Sequence, residues 1–426
     1  MDIVYVKVQP EFHNPWQGSH VMIDEYSLSP LTIVTPDEVK HDASIKISNG
    51  KIDSFTESKV KNYEIDGSYI LFPALMNAHD HLLGTYYPRI GTSPYICWLP
   101  WDYDLKNSPI YEERNKSEPF DLYLVGTYKN LISGITTVHD HMPHHINNPF
   151  IDKLPIRVLK DYSLAHEVSV YELKWGDGID VEYKKAIENN IPFVTHIEEG
   201  FDVESMRGIE ILEEHHALSE YSVLVHGIGF SKKDIKKVAR KKAHFIWCPG
   251  SNVYMFGRTA KIKELLDAGV NVSIGTDSPA TGELNILDEI RFAKKVYKEM
   301  YNEELDDELI VRMITVNPVK AFRIQDKLGS LAKGKLGDLL IISGDQNNPY
   351  SSLVNAHLKD ISLVFMEGTP IYGDDKFENI FNDFGLNYTR INIEGKDKII
   401  IGDPGSLMEK MREIVGFHKE LPFLPI

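Results

Sequence analysis

The sequence predicts an α/β protein: a (β/α)8 TIM-like barrel with a small β-sandwich domain built from both chain ends. Three observations predict it. From about residue 71 short apolar segments alternate with helical ones, as βα units require. Eight such segments follow one another, which fits a barrel spanning roughly 250 residues. Strand-like text then returns outside this region, before residue 71 and after residue 330. The bulk composition permits such a fold, with 426 residues, 42% hydrophobic and 26% charged. That is the balance of a folded chain, long enough for two or three domains or one large barrel with additions.

The N-terminal region reads as β. Residues Ser44 to Phe55 alternate around Asn49-Gly50, the strongest short signal for a tight hairpin. Barrel strands are expected at Leu71 to Ala78, Ile135 to Val138, Arg157 to Leu159, Ser169 to Leu173, Phe193 to Thr195, Ser222 to Val225, Phe245 to Trp247 and Asn271 to Ile274. Helices fall between them at Asp121 to Ser133, capped by its Asp and ended by Gly134, at Ser231 to Lys242, and at Thr259 to Ala268 with Gly269 closing it. Strands return at Asp338 to Ile342, Ile361 to Met366 and Ile391 to Ile393. The domain expectation is therefore a composite β domain from 1–70 and 330–400, a barrel over 71–329, and a C-terminal tail over 401–426.

Charge excludes some functions. With 46 Lys and Arg against 63 Asp and Glu the net charge is −17, which opposes the counterion displacement needed for nucleic-acid binding. The one basic run, Lys232 to Lys242, reads as the wet face of a helix. Two cysteines, Cys97 and Cys248, form neither a disulfide framework nor a four-thiolate zinc site. The N-terminus lacks a basic region followed by an apolar stretch, and no window approaches the ~20 apolar residues of a membrane span. A cytoplasmic enzyme or scaffold is the expectation.

Chemistry concentrates at the predicted strand ends. The first strand runs into His79-Asp80-His81, and residues two apart on a strand face the same side, so both imidazoles project together. The second runs into His139-Asp140-His141, a repeat of the pattern. His196 ends the fifth strand, His226 the sixth, and Asp277 follows the eighth. Each of these has a bland reading alone, as pocket wall, satisfied core histidine or helix cap. The first, fifth, sixth and eighth strand ends converging on one barrel mouth with these residue types point instead to a divalent metal.

The order HxH, His, His, Asp resembles the amidohydrolase superfamily, and the surrounding text is similar to its metal-dependent deaminase and chlorohydrolase branch. The resemblance covers about residues 44 to 375. It rests on Pro73-Ala-Leu-Met-Asn-Ala-His-Asp-His81, Ser133-Gly-Ile-Thr-Thr137, His196-Ile-Glu-Glu199, Cys248-Pro-Gly-Ser-Asn252, Gly275-Thr-Asp-Ser278 and Gly329 to Leu339. It implies that His79, His81, His196 and Asp277 bind one catalytic metal, zinc foremost and iron in some relatives. It further implies that Asp277 takes a proton from the water the metal activates, and that His226 orients the nucleophile or polarises the substrate. Glu199, three residues after His196, matches the acid that protonates a ring nitrogen in the deaminase branch. Glu198 is its rival, because strand alternation would put Glu198 on the side of His196. Lys160 and Lys174 read as structural or solvated, hence one metal and not two.

The loop after the first metal pair holds Tyr86, Tyr87, Tyr95, Trp98, Trp101 and Tyr103. Either these rings stack on a flat substrate or they pack together as a rigid lid. Trp101 and His141 are the substrate-binding candidates. The run His139, His141, His144 and His145 has three open roles: touching substrate, holding supporting positions, or binding adventitious metal. The expected activity is hydrolytic deamination of an amino- or imino-substituted heterocycle. Hydrolysis of a ring amide or C–Cl bond on the same centre is the alternative, and a non-catalytic scaffold a distant one. Relatives of this kind assemble as homodimers or larger; nothing in the residues fixes the number.

Overall fold

The computed structural model describes residues 23–56, 59–65 and 69–426. Near the start, β1 (Glu25–Val34) pairs with β2 (Val39–Ser48), and β2 turns into β3 (Lys51–Ser54) through the expected hairpin. Asn49 and Gly50 adopt φ of 48° and 72° there, the left-handed pair that a tight two-residue turn demands. Strands β4 (Lys61–Glu64) and β5 (Tyr69–Pro73) both run parallel to β1.

Two groups of parallel strands follow. One holds β6 (Leu75–Asp80), β7 (Ile135–Asp140) and β8 (Arg157–Val158). The other holds β9 (Ser163–Glu167), β10 (Phe193–Ile197), β11 (Ser222–His226), β12 (His244–Trp247) and β13 (Asn271–Ile274). Strands β10 to β12 are buried along their whole length, as strands covered on both faces must be. The two groups touch beyond the ends of β6 and β13: Asp80 and Asp277 form a parallel bridge, His81 N donates to Asp277 O at 2.8 Å, and Asp277 N donates to His79 O at 2.9 Å.

After the parallel strands the chain forms β14 (Leu339–Ser343), β15 (Ile361–Met366), β16 (Thr369–Asp374), β17 (Tyr388–Ile393) and β18 (Lys396–Ile401). Strand β14 lies antiparallel to β5, with Ile341 opposite Leu71, so both chain ends share one ten-stranded sheet. Beyond it, the helix Pro404–Val415 packs on the helix Pro119–Leu131, with Lys410 Nζ 2.6 Å from Asp121 Oδ2. Further on, Lys419 Nζ stands 2.9 Å from Glu113 and over the Tyr86 ring. The tail is thus part of the packed molecule.

Three expectations need correction. The apolar run at Leu71 to Ala78 is two strands in different sheets, broken at Ala74, whose N–H donates to Asp338 O. The fourth parallel strand is Ser163–Glu167 and not 169–173, where Val170 and Leu173 are 68% and 40% exposed. Alternation there mimics a strand in a turn. The helix expected at Asp121 is capped by Glu118, with Pro119 in its first position, which suits proline because that N–H has no helical partner. The helix Lys232–Lys241, by contrast, starts at Ser231 with a full capping box to Asp234 and buries Ile235 and Val238, leaving its lysines outward.

The ends of β6 and β7 are held from behind. Alternation that turns His79 and His81 inward turns Asp80 outward, where Lys129 Nζ meets it at 2.8 Å and Asn77 and Asn130 donate to it at 3.1 and 2.9 Å. Both members of the ion pair are buried. Asp140 of β7 likewise faces away, accepting from Leu82 N at 2.9 Å and Tyr123 OH at 3.2 Å. Breaking a buried pair leaves an uncompensated charge. Lys129→Met is therefore expected to cost about 3–5 kcal/mol in denaturant unfolding, with Asp80→Asn/Lys129→Met recovering much of it. A double variant no more stable than Lys129→Met would show that the two do not act as a pair.

Candidate metal centre and cavity

His79, His196 and His226 bring ring nitrogens within 4.8 Å of one another, and His79 shares a second such group with His81 and Asp277. His79 Nε2 lies 3.7 Å and His81 Nε2 3.4 Å from Asp277 Oδ1. His196 Nε2 lies 3.3 Å from His79 Nε2. The four residues expected as ligands thus meet at one place, with His79 common to both groups. Gly275 makes this possible: a Cβ there would stand 2.6 Å from His79 Cβ and 2.7 Å from His79 N, so only glycine lets the end of β13 approach β6 so closely.

Neighbouring groups fix which atom each side chain presents. His226 Nδ1 lies 2.9 Å from Asn252 Oδ1, and with the amide oriented this way Nδ1 carries the hydrogen and Nε2 turns toward the cavity. His196 Nδ1 donates to His166 O at 2.6 Å. Asp277 Oδ2 accepts from Ser251 Oγ at 2.6 Å and Thr281 Oγ1 at 2.9 Å, leaving Oδ1 for the imidazoles. Burial first, and then the neighbouring rings, hold His79 and His196 well below the usual histidine range. Neutral imidazoles with a carboxylate, collected away from water, form the donor set of a divalent metal site. The other ring nitrogen of His79, Nδ1, is buried with no hydrogen-bond partner among the described residues.

A cavity of about 170 Å³ opens over these residues, lined among others by His81, His196, Glu199, His226 and Asp277. Glu199 Oε1 lies 3.7 Å from His226 Nε2. Burial, then Asp277 and Glu167, push its carboxyl well above the usual range. Glu198 faces the other way, its Oε1 accepting from Ile209 N at 3.1 Å. The reason is local: Glu198 follows the end of β10 with φ of 47°, and a left-handed residue ends the alternation on which its rivalry rested.

The aromatic loop divides. Tyr87, Trp98 and Trp101 line the cavity, whereas Tyr86 is buried against Glu113 and Tyr103 is 59% exposed. His141 does not line it; it is fully buried behind His196. His144 donates through Nε2 to Tyr162 O at 2.8 Å, His145 is exposed, and His139 is buried against Tyr162 and Phe322. Lys160 and Lys174 face solvent. Sequence reasoning missed His166, Trp175 and Ser278 in the cavity wall, and Glu167 behind Trp98. Burial pushes Glu167 up to about 7, against hydrogen bonds from Ser169 and Trp98. His166 and Glu167 sit at a strand end, as the other site residues do, and were hidden by the misplacement of β9.

Comparison with known proteins finds the amidohydrolase family over residues 181–384. A 5-methylthioadenosine/S-adenosylhomocysteine deaminase of Pyrococcus furiosus is 26% identical over 73% of this chain and 85% of its own length. One of the same name from Acetivibrio thermocellus is 24% identical over 82% and 94%. Among solved structures, an adenosine deaminase from Xanthomonas campestris with bound zinc superposes with TM-score 0.70 at 18% identity, covering 91% of this chain and 97% of that one. The atrazine chlorohydrolase from Arthrobacter aurescens complexed with zinc does so with TM-score 0.69 at 19%, covering 84% and 99%. Among the described residues no helix is long and apolar enough to cross a membrane.

Glu198 is 1% exposed, its Oε2 has no partner among the described residues, and burial pushes its carboxyl up to about 8. A carboxyl raised above its ordinary 4.5 supports the fold fully below that pH and loses that support as pH climbs toward its folded value. Glu198→Gln should therefore unfold at higher denaturant than the parent at pH 8, with the gap closing by pH 4. A gap that widens toward acid pH would reverse this assignment.

Proposed function

For this chain, whose residues 181–384 match the amidohydrolase family, we propose hydrolytic deamination of an aminated heterocycle at the metal centre. The observation that carries it is the place of Glu199, buried in the cavity wall beside His226 and the ligand cluster. The architecture we read is a single eight-stranded barrel built on β6 to β13, with a composite β domain from β1 to β5 and β14 to β18. The metal is proposed as one zinc, with iron the alternative, bound by His79, His81, His196 and Asp277. A cytoplasmic small-molecule enzyme is the setting.

When bound, the ion supplies Lewis acidity that makes water a nucleophile at neutral pH. The side chains do the rest. Glu199, whose carboxyl burial pushes well above the usual range, delivers a proton to the ring nitrogen as water adds to the neighbouring carbon. Asp277 and the Nε2 lone pair of His226 take and orient the protons of that water. Asp277 then passes the water proton to the amino group, the C–N bond breaks and ammonia leaves, and the hydroxyl left on the carbon becomes a carbonyl as its proton returns to Glu199. Trp98, Trp101 and Tyr87 line the cavity, which suits an aromatic substrate. The relatives' names make 5-methylthioadenosine and S-adenosylhomocysteine the first compounds to try. The chlorohydrolase fold neighbour supports a second reading, displacement of chloride at the same carbon.

General acid-base help is worth ~10²–10⁴ in rate. Glu199→Gln is expected to lose that much ammonia release, while Glu198→Gln stays within a few-fold of the parent. The reverse ranking would return the role to Glu198. Elemental analysis should give near one ion per chain, lost in His79→Ala and Asp277→Ala, and chelation should abolish turnover. Two ions per chain, or chloride without ammonia from a chlorinated and aminated panel, would overturn the one-metal and deaminase readings respectively.

A further inference from the structure

The second His-Asp-His run takes no part in the reading above. Asp140 is accounted for by its contacts behind the strand, but His141 is a wholly buried imidazole at the end of β7. Its Nε2 lies 3.1 Å from Ala165 O. A carbonyl only accepts, so this nitrogen carries a hydrogen. The same argument applies to His196, whose Nδ1 lies 2.6 Å from His166 O. The nitrogens left over, His141 Nδ1 and His196 Nε2, face each other at 3.3 Å. In neutral rings both are lone pairs, and two lone pairs at this distance repel unless a cation lies beside them.

The spacing is informative. His196 Nε2 is also 3.3 Å from His79 Nε2, and about 3.3 Å separates neighbouring nitrogens on one ion with metal–nitrogen bonds of about 2.0–2.1 Å. The His141 ring lies beside the other ligand rings, with its centroid 5.4 Å from His79, 6.0 Å from His81 and 4.5 Å from His196. It stands outside the two groups whose ligand atoms are all within 4.8 Å, so its Nδ1 must draw closer to His79 for both to reach one ion.

We propose that His141 is a further protein ligand of the metal, placing Nδ1 on the ion held by His79, His81, His196 and Asp277. The inference rests on the metal-centre reading and moves His141 from the substrate to the metal. It would give the ion four imidazoles and a carboxylate, one protein ligand beyond the four read above.

The test uses the full chain loaded with cobalt(II). His141→Phe removes both nitrogens and keeps a ring in the space. It should release metal to a chelator at least tenfold faster, show stronger visible cobalt absorption as the coordination number falls, and lose one nitrogen from the X-ray absorption shell. An unchanged nitrogen count and release rate in folded His141→Phe would overturn the proposal. If His141→Phe does not fold, His141→Gln, whose amide can still donate to Ala165 O, is read the same way: one nitrogen fewer supports the proposal and an unchanged count ends it. A wild-type chain that retains no divalent metal would sink the metal centre itself, an outcome distinct from a metal-loaded wild type matched by its variants.

Discussion

The ion pair between Asp80 and Lys129 is the constraint on which the rest of the site depends. Period-two alternation sends one side chain of His79-Asp80-His81 away from the other two, and burying that carboxylate is tolerable only with a partner. Lys129 supplies it, and Asn77 and Asn130 complete the shell. Asn77 also donates to Thr276 Oγ1 at 2.7 Å and accepts from Thr276 N at 3.1 Å. The network that holds β6 in its rotation therefore also holds the approach to Asp277. The metal-facing side of the strand is set by what its opposite side grips.

Beyond the strands, conformation is set by residues that alternation does not govern. Glu198, His226 and Asp277 have φ of 47°, 73° and 60°, a region that costs non-glycine residues on the order of 1–3 kcal/mol each. These residues, at the ends of β10, β11 and β13, end the alternation there and set which side chains enter the cavity. Backbone pairing of Asp277 with His79 and His81 and side-chain bonds from Asn252, Ser251 and Thr281 hold them there.

These facts explain what could be read from residues alone. His79, His81, His196 and Asp277 were legible because each follows a short apolar strand that periodicity reveals. The Asn49-Gly50 hairpin and the Ser231 cap were legible because their signals are local. Alternation alone would set Glu198 on the side of His196; a positive φ turns it away and leaves no mark in the sequence, whereas Glu199 was favoured by its spacing from His196. Strand β9 was misplaced because its own residues include His166 and Glu167, while the turn after it happens to alternate. His141 looked like a substrate contact because its motif copies that of β6; only its depth behind His196 separates the two.

The ladder between β5 and β14 has a bearing on how the protein is made. Leu71 pairs with Ile341, partners some 270 residues apart, and Ala74 at the threshold of β6 bonds to Asp338. Contacts of such long range form late, because loop closure must be met before they reward it. During synthesis, His79 and His81 leave the ribosome long before the strand that braces their base exists. Through most of translation the nascent chain carries exposed histidines without a finished socket, so capture of the ion belongs to the end of folding and not to its beginning.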